Sequence, residues 1–191
     1  MFKENICLAS KSPRRRMLFK KLGMQFKTLN PQINEKISKK NPRHYAMELA
    51  KRKVVAVENK IDEGIIIGVD TVVVINNTIL GKPHNKNEAR NMLNLLSEKT
   101  HKVISGIYVL IKPQHKFWCK SEVTYVKFRK LSKNEIEHYI STREPYDKAG
   151  GYGIQENGSA FVEKVEGCYF NVVGLPIKKL LLGLKSIKEF Y

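Results

Sequence analysis

Apolar positions along this chain change their period several times, and each change marks an element. Residues 6–9 form a short continuous apolar run, read as a buried strand. The run ends on Ser10-Lys11-Ser12-Pro13, where Ser12 is a good N-cap and Pro13 a preferred first helical residue. Leu18 and Leu22 then share one face, and Gly23 is placed to stop the helix. Asn41-Pro42 opens a second helix to about Asn59, with Ala46, Leu49, Ala50, Val54 and Val57 as its apolar stripe. Residues 65–69 are a second continuous apolar run, and 71–75 extend it to Asn76-Asn77, a hairpin signal. A return strand over 78–80 leads to Gly81-Lys82-Pro83.

Residues 87–97 read as a helix with Ala89, Met92, Leu93 and Leu96 inward, and strands follow around 102–111 and 117–128. Ser132 and Glu135 form a capping box for a helix carrying Ile136, Tyr139 and Ile140. Residues 144–158 are rich in glycine and polar groups, and Tyr146, Ala149, Tyr152 and Ile154 can anchor them as an ordered loop. A lysine-rich amphipathic helix from about Pro176, with Leu180, Leu181 and Leu184 as its stripe, closes the chain. Strands and helices alternate without a strict βαβ rhythm, which predicts an α/β fold with a mixed central β-sheet flanked by helices.

Composition narrows the class. The chain has 191 residues, enough for one domain with a sizeable core or two closely packed lobes. Its net charge of +17, from 35 Lys and Arg against 18 Asp and Glu, suits either an anionic partner or a lysine-rich solvated surface. Three widely separated cysteines (Cys7, Cys119 and Cys168) argue against a disulfide framework or a zinc site, so a reducing cytoplasm is expected. Charges at Lys3, Glu4, Lys11 and Arg14 interrupt any signal-peptide core, and no apolar run reaches the length of a membrane span.

The chemistry then concentrates at a few positions. Ser10 to Arg16 brings free backbone N–H groups, two hydroxyls and three guanidinium groups to one strand-to-helix turn, an arrangement suited to phosphate. Asp70 stands inside a run so apolar that its charge must be paired, metal-bound or displayed at a strand break. Lys53 falls on the apolar stripe of its helix, either snorkelling past the core edge or facing a cleft. Glu35 by itself is an ordinary loop acid, and Glu122 fits a cross-strand charge. The five histidines have no ligand spacing and read mostly as surface groups, and no Ser-His-Asp arrangement is legible. Lys82 lies in a stiff turn that is not a P-loop. Cations with a few well-placed acids and no nucleophile-base pair suit metal-assisted hydrolysis of a polyphosphate.

These weak signals occur in a recognisable order. Leu8 to Arg15, Asp70-Thr71-Val72-Val73 with Leu80-Gly81-Lys82-Pro83, Leu96-Ser97 with Thr100 to Val103, Glu144 to Gln155, and Val172 to Pro176 form five blocks. In these blocks the chain resembles the Maf family of nucleoside triphosphate pyrophosphatases, related in fold to the inosine triphosphatases. The resemblance implies one Maf-like domain over 1–191, with two lobes and a cleft between them. It implies hydrolysis of a nucleoside triphosphate to the monophosphate and pyrophosphate with a divalent metal, Mg²⁺ or Mn²⁺. Asp70 would be the general base, with Glu35 and Asp70 as metal ligands and Ser10, Arg14, Arg15, Lys53 and Lys82 around the phosphates.

Arg14, Thr71 and Gln155 match the dTTP/UTP branch of that family, with CTP or modified pyrimidine nucleotides as further substrates. An amide such as Gln155 carries both a donor and an acceptor, matching the N3–H and O4 edge of uracil or thymine. Four positions depart from the pattern: Asn34 for an acid, Ser105 for Thr, and Glu98 and Glu156 for Gly. The resemblance also implies a homodimer, no membrane partner and no need for nucleic acid. The competing expectation is a basic nucleic-acid-binding or septum-regulating module, supported by the +17 charge and Arg14 to Arg16.

Overall fold

A computed structural model describes residues 5–35 and 41–188. Lys3 and Glu4 lie outside the described residues. The strands, in chain order, are β1 (Ile6–Ala9), β2 (Phe26–Leu29), β3 (Gly64–Ile75), β4 (Thr78–Leu80), β5 (Thr100–Lys112), β6 (Lys116–Phe128) and β7 (Val162–Glu166). The helices are α1 (Pro13–Lys21), α2 (Pro42–Glu58), α3 (Lys86–Leu96), α4 (Lys133–Ser141), α5 (Tyr169–Val173) and α6 (Ile177–Lys188), with three short 3₁₀ turns between 144 and 161. The strands form a seven-stranded sheet in the order β2-β1-β3-β5-β6-β7, with β4 paired to β3. Pairing is parallel from β1 to both β2 and β3, and antiparallel in β3–β4 and β6–β7, so the sheet is mixed as expected. No helix of the described residues is long and apolar enough to cross a membrane.

The chain divides into two compact units. The first comprises residues 1–70, 105–122 and 174–191; the second comprises 71–104 and 123–173. Each has its own core. In the first, Cys7, Ala9 and Ile66 of the sheet pack with Ala50, Val54 and Val57 of α2. In the second, Val73, Leu93, Phe128, Tyr139 and Phe161 are central.

Local signals explain most boundaries. Ser12 caps α1 by accepting from the Arg15 N–H, and Pro13 opens the helix. Asn41 caps α2 in the same way. Asn76 and Asn77 both adopt positive φ (48° and 61°), the conformation a two-residue type I′ hairpin requires. The Ser132–Glu135 capping box is complete, with both reciprocal bonds made.

His44, His84, His115 and His138 are exposed, as expected of most of the histidines, whereas His101 is buried: Nε2 lies 2.7 Å from the Tyr152 hydroxyl, and Phe128 and Tyr152 pack edge-on to its ring. Burial lowers its pKa to about 4. Glu122 is not a cross-strand charge; it pairs with Lys179 of α6 at 3.2 Å. The α6 stripe runs through Leu180, Leu184 and Ile187, leaving Leu181 exposed, because spacing of four and three residues keeps one face while a neighbouring residue turns away.

Candidate active site

The geometry around Asp70 follows from close packing of α2 on the sheet. Residues 66, 68 and 70 share one face of β3, since side chains alternate along a strand. At 68 the residue is glycine, and a Cβ there would come within 2.2 Å of the Ala50 carbonyl oxygen. Gly106 of β5 plays the same part opposite Ala46, where a Cβ would meet the Ala46 carbonyl at 2.3 Å. Two glycines facing two alanines thus let the α2 backbone lie directly on the strands. Lys53 comes one helical turn after Ala50, and Asp70 comes two residues after Gly68. Lys53 Nζ consequently reaches Asp70 Oδ1 at 2.5 Å.

This pair is 9% (Lys53) and 7% (Asp70) exposed, too buried for either charge to stand alone. The same ammonium lies 3.8 Å from Glu35 Oε1, whose side chain is largely open to solvent. One cation therefore pairs with two carboxylates from distant parts of the chain. Tyr45, which sequence reasoning passed over, donates its hydroxyl to the Glu35 carbonyl at 2.9 Å. Burial, followed by the charges of Asp70 and Glu35, raises its pKa above the usual tyrosine range. Its signal was present in the spacing, because Tyr45, Leu49 and Lys53 form one i, i+4, i+8 row.

The N-terminal turn belongs to the same unit. Arg15 is buried; Nε donates to the Gly174 carbonyl at 2.8 Å and Nη1 to Ser10 Oγ at 3.4 Å. Ser10 Oγ also accepts from the Ser12 N–H at 3.2 Å. Arg15 thus braces the opening turn against the segment after α5. Desolvation lowers its pKa, and Asp70 is the largest influence opposing that shift. Ser10, Arg15, Glu35, Lys53 and Asp70 are therefore gathered in the first unit, while Arg14 is half-buried on α1.

Thr71, Lys82 and Gln155 belong to the second unit. Thr71 is half-buried beside Asp70 in the chain; Lys82 and Gln155 are exposed. The turn bearing Lys82 is stitched to the glycine-rich loop by the Gly150 N–H, which donates to the Gly81 carbonyl at 2.9 Å. Gly150 adopts φ 72°, and a Cβ there would press on Val73 at 2.9 Å, so the residue type fits both the backbone and the space. The loop is ordered as expected, with Tyr152 and Ile154 buried and Tyr146 and Ala149 packed on the core. Glu144, which sequence reasoning did not single out, is a buried carboxylate. It accepts from the Tyr139 hydroxyl at 2.7 Å and from the N–H groups of Asn157 and Gly158.

Glu35 and Asp70 offer hard oxygen donors already arranged around a positive charge. Among the described residues, no three His, Cys, Asp or Glu side chains form a complete metal cage. That donor set fits Mg²⁺ or Mn²⁺ arriving with a phosphate ligand, since Mg²⁺ is usually held by one or two carboxylates, substrate phosphates and water.

A family model described as Maf-like protein matches residues 5–187. A Carboxydothermus hydrogenoformans protein named dTTP/UTP pyrophosphatase is 47% identical over 181 residues, covering 95% of this chain and 97% of its own. A Thermosipho melanesiensis protein of the same name is 48% identical over 176 residues, covering 92% and 94%. One from Clostridioides difficile, also of that name, is 44% identical over 191 residues, covering 98% of each.

Proposed function

The chain belongs to the Maf-like protein family, and on that footing we propose that it hydrolyses dTTP or UTP to the nucleoside monophosphate and pyrophosphate. The observation that carries the reading is the buried Lys53–Asp70 pair, with Glu35 3.8 Å from the same ammonium. A carboxylate so placed can take a proton, and the cation beside it can neutralise an incoming phosphate. The reading assigns one function to 1–191 as a single domain, because the family match runs through both units.

In the proposed reaction, Arg14, Arg15, Lys53 and Lys82 provide positive charge for the triphosphate. Ser10 and the N-terminus of α1 add hydrogen-bond donors. Water attacks the α-phosphorus, its proton passes to Asp70, and the bond from that phosphorus to the bridging oxygen breaks as pyrophosphate leaves. Glu35 and Asp70 are the residues that would hold Mg²⁺ or Mn²⁺. When bound, the ion neutralises charge on the phosphate oxygens and on the leaving group. Thr71 and Gln155 are assigned to the nucleoside, the Gln155 amide matching the N3–H and O4 edge of a uracil or thymine base.

A nucleotide panel tests this reading. UTP, dTTP, CTP, GTP and ATP are each incubated with the protein and Mg²⁺ or Mn²⁺, and pyrophosphate and orthophosphate are quantified separately. UTP and dTTP are expected to give pyrophosphate at the highest kcat/KM. Turnover confined to purine nucleotides, or release of orthophosphate alone, would overturn it.

A further inference from the structure

Glu156 follows the exposed Gln155, and its carboxylate is tied down. Its Oε2 lies 3.1 Å from Nζ of Lys148, whose side chain is only 7% exposed. The same ammonium donates to the Glu144 carbonyl at 2.8 Å and to Asp147 Oδ1 at 2.6 Å. The Lys148 stem lies against Gly153, where a Cβ would come within 2.6 Å of Cε. A second tether comes from Glu144: Oε1 accepts from the Gly158 N–H at 3.1 Å and Oε2 from the Asn157 N–H at 3.2 Å. On the other side, the Gly153 N–H donates to the Tyr139 hydroxyl at 3.2 Å. Positions 153 and 156–158 are thus pinned on both sides of Gln155, which is itself exposed.

We propose that the Glu156–Lys148 ion pair is a positioning device that holds the backbone under Gln155 and sets selectivity for uracil or thymine over cytosine. This rests on the reading that Gln155 contacts the base edge. Uracil presents N3–H and O4, whereas cytosine presents a bare N3 and an amino group, so an amide satisfies one or the other by turning over. Discrimination therefore requires that the amide be held, and a turn with a fixed base restricts how it can be offered. Lys148 has three N–H donors and three acceptors around it. Replacing the Glu156 carboxylate by a neutral amide keeps an acceptor oxygen but removes the charge that draws it to the buried Lys148 ammonium, and this loosens the turn on its C-terminal side.

The test compares wild type, Glu156→Gln, Glu156→Asp, Gln155→Ala and the double variant E156Q/Q155A by steady-state kinetics on UTP and CTP. Melting curves verify that each is folded. E156Q is expected to raise KM for UTP roughly three- to tenfold, with the effect on KM rather than kcat, and to lower the UTP-to-CTP ratio of kcat/KM by a similar factor. E156D keeps the charge and should retain most of that ratio. In the Gln155→Ala background, E156Q should add no further loss, since both act through one contact. If Q155A lowers the ratio and E156Q leaves it unchanged, the positioning role is overturned while the base-reading role stands. If Q155A leaves the ratio unchanged, the base-reading role fails and this inference with it.

Discussion

Replacing Gly68 by alanine probes how the buried Lys53–Asp70 pair is placed. The new Cβ would sit 2.2 Å from the Ala50 carbonyl oxygen and 2.8 Å from Val54 Cγ2, against an ordinary contact of 3.4–4 Å. The closer of these atoms is backbone, so relief requires α2 to move off the strand by about 1 Å rather than a side chain to rotate. Overpacking of this kind costs about 1–3 kcal/mol, which for a chain of this size lowers Tm by roughly 2–12 °C. The shift also draws Lys53 away from Asp70, now 2.5 Å apart. A misplacement near 1 Å can cost about 10²-fold in rate, so kcat/KM for UTP should fall by that order even where the variant is fully folded. The assay is pyrophosphate release at a temperature well below the variant's own Tm. A Gly68→Ala protein with wild-type Tm and wild-type kcat/KM would refute the proposition that this glycine seats α2 and thereby places Lys53.

Two further outcomes are expected. His101 is held neutral, with a pKa near 4 against about 6.5 in the unfolded chain, so the unfolded state binds the extra proton as pH falls. Stability should therefore decline between pH 6.5 and pH 4 by up to roughly 3 kcal/mol from this group, and urea midpoints at pH 7 and pH 5 should show a shallower decline in His101→Gln. Ser12→Ala removes the α1 cap and its bond to the Arg15 N–H; it should cost about 1 kcal/mol and lower Tm by about 2–4 °C, read in a thermal melt, and an unchanged Tm would count against the cap.

The elements with strong periods and strong punctuation were legible in the sequence. The β1–Ser12–Pro13 turn, the α2 stripe, the Asn-Asn hairpin and the Ser132 capping box each carry a local cause that tertiary packing did not override. The weak edge strands were not. β2 (Phe26–Leu29) and β7 (Val162–Glu166) are short and largely exposed, and their lysines and glutamates leave no apolar run to read. The helix α5 is a single short turn of five residues, below what periodicity can detect. Asp70 and Lys53 stood out because each puts a charge among apolar neighbours, and the structure pairs them. His101 and Glu144 were invisible for the opposite reason. Their polar sequence neighbours look solvated, and their burial depends on Tyr152, Tyr139 and Asn157, residues supplied by the fold.

The proposed chemistry has water attacking the α-phosphorus with Asp70 accepting its proton. Hydrolysis of UTP in water enriched with oxygen-18, run with the wild-type protein and with Asp70→Asn, tests both halves together. The label should appear in the nucleoside monophosphate and not in pyrophosphate, and Asp70→Asn should slow its incorporation by about 10²–10⁴-fold. Label in the pyrophosphate, or near-normal turnover by Asp70→Asn, would contradict the account.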